Sequence, residues 1–114
     1  MARPSHGTQS MARRPRIELA AAEAHHVVLC RRAWRHRRRG NERRAMLALR
    51  DAAHLNESDA RLWALYGVQC ARVGLIDVAK KALGHAVWLR ERCHEPRKAH
   101  VTRGVLARLL PYAA

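Results

Sequence analysis

The feature that most constrains this chain is a periodicity of 34 residues across its middle. Small and apolar residues recur at this interval: Gly40 and Gly74, Ala45 and Ala79, Leu49 and Leu83, Ala52 and Ala86, Leu55 and Leu89. A period of this length is typical of arrays in which each unit buries its apolar face only by stacking on a neighbour. The chain is therefore predicted to stack copies of one small unit.

The second copy, residues 59–92, has the pattern of two helices joined by a tight turn. Three large residues at spacings of three and four share one face of its first helix: Trp63, Tyr66 and Cys70. Gly67 beside them, with Ala79 and Ala86 on the second helix, allows two antiparallel helices to approach closely. Gly74 can adopt the left-handed conformation that ends a helix and reverses the chain.

This stretch resembles the tetratricopeptide (TPR) repeat. Four residues stand at the positions of W-x2-L-G-x2-Y, namely Trp63, Tyr66, Gly67 and Cys70, and three at those of A-x3-F-x2-A, namely Ala79, Leu83 and Ala86. The first copy departs from the pattern at Arg32 and His36. The resemblance implies an all-α fold, a TPR-like α-solenoid of antiparallel helix pairs with about five helices and a disordered basic N-terminus.

The predicted domain boundaries follow from the composition and from the Gly and Pro residues that interrupt helices. Residues 1–16 form a basic tail with little to bury and are predicted to be disordered. Because residues 11–13 repeat residues 1–3, Met1 and Met11 are both candidate starts. The predicted helical domain spans 17–110, with repeats at about 26–58 and 59–92 and a capping helix at about 96–110.

Two finer expectations concern the ends of the helices. A long first helix over residues 17–39 should end at Gly40, and Asn41 should cap the next helix. In the capping helix, an apolar stripe is predicted to cover the second repeat: Val101, Val105, Leu106, Leu109 and Leu110.

The charge balance indicates an anionic partner. The chain has 23 Lys and Arg against 9 Asp and Glu, a net charge of +14, and residues 1–50 carry +10 of it. Such an asymmetry favours nucleic acid, an acidic protein segment or an anionic membrane surface as partner. The alternative is compositional: only three of the 23 basic residues are Lys, and heavy Arg use can follow from a GC-rich genome.

A groove is the first candidate site. The resemblance implies a concave surface on which a partner segment lies, with these binding residues: Cys30, Arg31, Trp34, Arg37, Arg38, Arg61, Ala64, Leu65, Val68, Arg72 and Lys98. An apolar strip fringed by Arg suits an acidic peptide with apolar anchors. Cys30 and Trp34 stand where chaperone-binding members hold a terminal carboxylate with Lys and Asn, so that ligand is not predicted. Trp34 can alternatively pack against the N-terminal extension.

An arginine cluster is the second candidate site. Five of its residues fall within about 120° of one helical face, and two more follow the turn: Arg31, Arg32, Arg35, Arg38, Arg39, Arg43 and Arg44. These seven residues are called the arginine cluster below. They predict phosphate contacts in a nucleic-acid-associated basic helical protein, as the alternative function. The other interpretation is a solvated face that binds polyanions only loosely.

The favoured function is a non-enzymatic interaction module, an adaptor or scaffold for an acidic partner segment, with self-association as a further expectation. The sequence has no Gly-rich phosphate loop and no G-x-S-x-G motif, so an enzyme is not predicted. No cofactor or metal is expected, because the three Cys and eight His lack ligand spacing. No membrane span is predicted, and a reduced, cytoplasmic setting is expected.

Overall fold

The computed structural model describes residues 25–109, and five helices occupy most of this range. They are α1 (25–38), α2 (Glu42–Leu55), α3 (Ala60–Arg72), α4 (Ile76–Arg92) and α5 (Pro96–Leu109). Residues 25–109 contain no strand, so the predicted all-α class is confirmed. The predicted tail, the start of the predicted long helix and Leu110 lie outside the described residues.

Three helices end in the same kind of turn. The second residue after each helix adopts a positive φ: 78° at Gly40, 87° at Gly74 and 56° at His94. A backbone hydrogen bond to the carbonyl five residues earlier closes each turn: Asn41 N to His36 O at 2.8 Å, Leu75 N to Cys70 O at 2.9 Å, and Glu95 N to Arg90 O at 2.8 Å. These are Schellman turns, in which glycine avoids the left-handed strain that His94 bears.

The beginnings of α2 and α3 differ. Asp59 caps α3, because its Oδ1 accepts hydrogen bonds from Arg61 N at 3.0 Å and Leu62 N at 3.4 Å. Asn41 occupies the N-cap position of α2, as predicted, but its side chain makes no capping hydrogen bond. The backbone N–H of Asn41 closes the preceding turn. This hydrogen bond holds Asn41 at φ −86°, ψ 67°, away from the extended conformation in which a side chain caps a helix.

Consecutive helices pack against each other in chain order, α2 on α3, α3 on α4 and α4 on α5. Contacts at opposite ends show that α2 and α3 are antiparallel: Gln69 Nε2 donates to Glu42 O at 2.9 Å, and the rings of His54 and Trp63 lie 5.3 Å apart. Gly67 makes the α3–α4 contact close, because a Cβ there would lie 2.7 Å from Leu83 Cγ. This agrees with the role expected for Gly67.

Small residues dominate the core. Six alanines have no exposed surface: Ala45, Ala52, Ala53, Ala79, Ala86 and Ala99. The largest fully buried side chains are Leu62, Leu83, Gln69 and Cys70. Because alanine projects little beyond the backbone, neighbouring helices lie close together and enclose little internal space.

The predicted apolar stripe on α5 is correct only in part. Three of its residues are half-buried, and the last of them packs against the core: Val105, Leu106 and Leu109. Ala99 and Thr102 are its buried residues, whereas Val101 is 64% exposed, so the predicted stripe is wrong at Val101. Two residues along a helix correspond to about 200° of rotation, which places Val101 opposite Ala99. The Arg90 side chain donates to Thr102 Oγ1, which itself donates to Lys98 O at 2.8 Å. Small and polar residues, not the bulkier valine, therefore face α4.

Candidate partner-binding groove

A small cavity lies where α1, α2 and α3 meet. Its volume is about 50 Å³, and nine residues line it: Cys30, Ala33, Trp34, Arg37, Leu49, Arg61, Leu65, Val68 and Gln69. Six of these were predicted groove residues, and the structure brings them together. The missed members, Ala33, Leu49 and Gln69, come from the buried surface beneath the groove.

The rim of this cavity combines an indole with two guanidinium groups. Trp34 is 54% exposed, and Arg37 Cζ lies 5.1 Å from its ring centroid, a cation–π contact. Arg61 borders the cavity from the first turn of α3. The alternative prediction, that Trp34 packs against the N-terminal extension, involves residues outside the described range.

A second, larger cavity adjoins the beginning of α3. Its volume is about 580 Å³, and it lies between the α2–α3 connection, the end of α4 and the start of α5. It is lined by Leu55, Asn56, Glu57, Ser58, Asp59, Ala60, Arg61, Arg90, Cys93, Glu95 and Lys98. Arg61 borders both cavities. The two cavities therefore adjoin at Arg61, and the surface from Trp34 past Arg61 to Lys98 is called the groove below.

Most charges in the second cavity already have partners. Lys98 Nζ lies 2.8 Å from Glu95 Oε2, and this hydrogen bond lowers the pKa of Glu95. The Asp59 carboxylate caps α3. Arg90 donates to Thr102 and Lys98 on α5. Within residues 25–109, Arg61 forms no ion pair, so its charge remains available to a ligand.

Arg72, a predicted groove residue, instead connects α3 to α2. Its Nη2 lies 2.6 Å from Glu42 Oε1 and its Nε lies 3.0 Å from Oε2, a bidentate pair. Gln69 Nε2 donates to the same carboxylate at 2.6 Å. The Arg72 hydrogen bond, followed by that of Gln69, lowers the pKa of Glu42 to about 2. The charge of Arg72 is therefore neutralised within the fold.

The remaining predicted groove residues lie beside the cavities. Ala64 is half-buried on α3 and lines neither of them. Arg31 and Arg38 border an open depression with Trp34 and Arg35 on the surface of α1. Burial raises the pKa of the Cys30 thiol despite the opposing charge of Arg61, which keeps it protonated. Cys30 therefore lines the cavity as a protonated thiol.

The seven residues of the arginine cluster are all exposed, and none forms an ion pair within the described part of the chain. They do not share one depression. Arg31, Arg35 and Arg38 border the one on α1, whereas Arg43 and Arg44 border another beside the α1–α2 turn. The cluster is thus a broad charged surface and not a single pocket.

An aromatic and imidazole cluster across α2, α3 and α4 was not predicted from the sequence. The Trp63 ring centroid lies 5.3 Å from that of His54 and 4.9 Å from that of His85. The His85 and Trp88 rings stack at 5.7 Å, and Arg92 Cζ lies 4.7 Å from the Trp88 ring. The spacing of three and four from His85 through Trp88 to Arg92 was the available signal.

No three His, Cys, Asp or Glu side chains in residues 25–109 converge to hold a metal ion. Comparison of the chain with protein-family models, with curated proteins and with solved structures finds no match to any of them.

Proposed function

We propose that this chain is a TPR-like, non-enzymatic interaction module that holds an acidic segment of a protein partner in the groove. The observation that carries the proposal is the position of Arg61. It borders both cavities without an ion-pair partner among residues 25–109, next to the apolar side chains of Leu65 and Val68. An arginine beside exposed apolar surface can bind a carboxylate bidentately while the neighbouring side chains exclude water.

The dimensions of the groove restrict the ligand. A cavity of about 50 Å³ exceeds the roughly 10 to 15 Å³ that one water molecule needs, so it has room for one small apolar side chain. Arg37 and Arg61 border this cavity, so acidic residues should flank the small anchor. The expected ligand is an extended peptide in which carboxylates surround an alanine or valine.

Fluorescence anisotropy with labelled peptides tests this proposal. The probes are acidic peptides with one central Ala, Val or Trp, and the small anchors should bind more tightly than Trp. Arg61→Gln and Trp34→Ala should each weaken binding of the Ala peptide about 5- to 30-fold, as hot-spot losses do. The matched control is Arg50→Gln, which removes the same charge from an exposed position on α2.

If Arg50→Gln weakens the peptide as much as Arg61→Gln does, the attraction comes from net charge and the groove has no special role. If the Trp peptide binds as tightly as the Ala peptide, the small cavity does not receive the anchor. Either result contradicts the proposal.

Contact with nucleic acid through the arginine cluster is a second candidate function. The observation that favours it is the exposure of all seven guanidinium groups without ion pairs in the described part of the chain. Binding of random duplex DNA and RNA should then fall with a log–log salt slope of about −4 to −5 for five phosphates. Arg35→Glu/Arg38→Glu should abolish nucleic-acid binding, and Trp34→Ala should leave it unchanged. Loss of binding in Trp34→Ala with binding retained in the double charge reversal would contradict this candidate.

A further inference from the structure

The outward face of α1 carries apolar side chains among its arginines. Val27, Val28 and Trp34 are 41%, 45% and 54% exposed. Five exposed arginines share the face with them: Arg31, Arg32, Arg35, Arg38 and Arg39. At 100° per residue these eight positions span about 160° of the helix. The opposite side buries Leu29 and Ala33 against the core.

Nucleic acid accounts for the arginines of this face but not for its apolar residues. A phosphate backbone contacts guanidinium groups, and exposed valines gain nothing from it. An anionic bilayer surface uses both kinds of side chain. Arginine heads pair with lipid phosphates while their stems, the valines and the indole ring enter the boundary between headgroups and acyl chains.

We propose that α1 docks on an anionic lipid surface, with its axis in the plane of the interface. None of the helices in residues 25–109 is long and apolar enough to cross a bilayer, so the contact is peripheral. The net charge of +14 complements the negative surface potential of such a membrane. The occupant of this face is thus a bilayer that contains acidic phospholipid.

This inference does not depend on the groove. Val28, Arg32 and Arg35 lie on the part of α1 that lines neither groove cavity. Trp34 stands between the two surfaces, since it borders both the small cavity and the depression on α1. Substitutions at Val28, Arg32 and Arg35 should therefore alter lipid binding and leave the acidic peptide bound, so failure of one proposal leaves the other standing.

Vesicle co-sedimentation of the full chain tests the inference. Vesicles of phosphatidylcholine alone are compared with vesicles that also contain phosphatidylglycerol, at physiological ionic strength. The chain should bind the mixed vesicles at least about tenfold more tightly, because each arginine near an anionic surface contributes about a fivefold gain. Trp34 emission should shift to the blue on the mixed vesicles, and Trp34→Phe should remove the shift.

The decisive variant removes the valines and keeps every charge. Val27→Gln/Val28→Gln should weaken vesicle binding about tenfold and leave affinity for duplex DNA within about twofold. Glutamine is a good helix former, and circular dichroism verifies that α1 is retained. Val101→Gln, at a 64% exposed valine on α5, is the matched control and should bind vesicles like the parent chain.

Arg32→Gln/Arg35→Gln should weaken vesicle binding about 20- to 30-fold. Equal binding to both kinds of vesicle overturns the inference, and so does parent-like binding by the valine variant. If duplex DNA binds more tightly than the mixed vesicles, the face belongs to nucleic acid and the inference fails.

Discussion

At the residue scale, the same amino acid has different roles at different positions. Gly74 has a φ of 87° and ends α3 in a conformation that side chains disfavour. Gly67 lies against Leu83, where a Cβ would have no room. Gly84, within α4, has nothing within 4 Å of the position where a Cβ would stand. Of these three glycines, the fold therefore requires Gly74 and Gly67 but not Gly84.

Alanine substitutions should separate these roles. Gly67→Ala should lower the free energy of unfolding by about 1 to 3 kcal/mol, because the new methyl group would lie 2.7 Å from Leu83 Cγ. Gly84→Ala should raise it by about 0.5 to 1 kcal/mol, because alanine is the better helix former and meets no neighbour. Urea unfolding of both variants measures the difference, and a change of the same sign in both would contradict the packing described for α3 and α4.

Glu42 should make the stability of the fold depend on pH. Its pKa of about 2 in the folded chain lies below the ordinary value of 4.5. The stabilisation is therefore complete above about pH 5 and is lost as the pH falls towards 2. Glu42→Gln should lower the urea midpoint at neutral pH, and the difference from the parent chain should disappear near pH 2.

Glu57→Gln is the control for this prediction, because the substitution removes the same charge. Glu57 is exposed and forms no ion pair within residues 25–109. A pH profile for Glu42→Gln parallel to that of the parent chain would show that the Arg72 pair does not stabilise the fold. The sequence could not reveal this pair, because its members are 30 residues apart and meet only through the register of α2 against α3.

At the scale of elements, the helix boundaries could be predicted closely and the helix faces less well. Gly40, Gly74 and Pro96 mark ends or beginnings through backbone chemistry that acts locally. The orientation of α5 depends on what α4 presents to it. A stripe of large apolar residues suggested Val101 as a contact, but close packing admits Ala99 and Thr102 instead. Sequence rules for single helices therefore do not predict which face of α5 packs against α4.

Substitutions on α5 test its orientation. Val101→Gln should change the free energy of unfolding by no more than about 0.5 kcal/mol, because the side chain is 64% exposed. Ala99→Leu should cost about 1 to 3 kcal/mol, because Ala99 has no exposed surface and the larger side chain would press against its neighbours. Thermal or urea unfolding measures both, and a larger cost at Val101 would mean that α5 is rotated.

At the scale of the whole molecule, the charge of +14 opposes compaction. The composition revealed this excess of positive charge, but not which basic side chains form ion pairs within the fold and which do not. Arg72 and Lys98 are paired, whereas Arg61 and the arginine cluster have no ion pair within the described residues. The sequence likewise predicted six residues that line the small cavity, but not its volume, which depends on how closely α1 and α3 approach.

Added salt should therefore stabilise the fold. Between about 0.01 M and 0.15 M ionic strength the screening length falls from about 30 Å to about 8 Å, which weakens repulsion among the arginines. The urea midpoint should rise over this interval, and it should rise less in Arg32→Gln/Arg35→Gln. A falling midpoint would show that attraction within pairs such as Arg72 and Glu42 outweighs the repulsion.

The three tryptophans stand in three unlike settings. Trp34 is at the edge of the groove, Trp63 lies between His54 and His85, and Trp88 lies beneath the guanidinium of Arg92. If two of the three are replaced by phenylalanine, the remaining indole emits from a single known location. The fluorescence of each such variant then reports changes in the surroundings of one indole. The chain therefore supplies its own fluorescent probes, and no dye has to be attached.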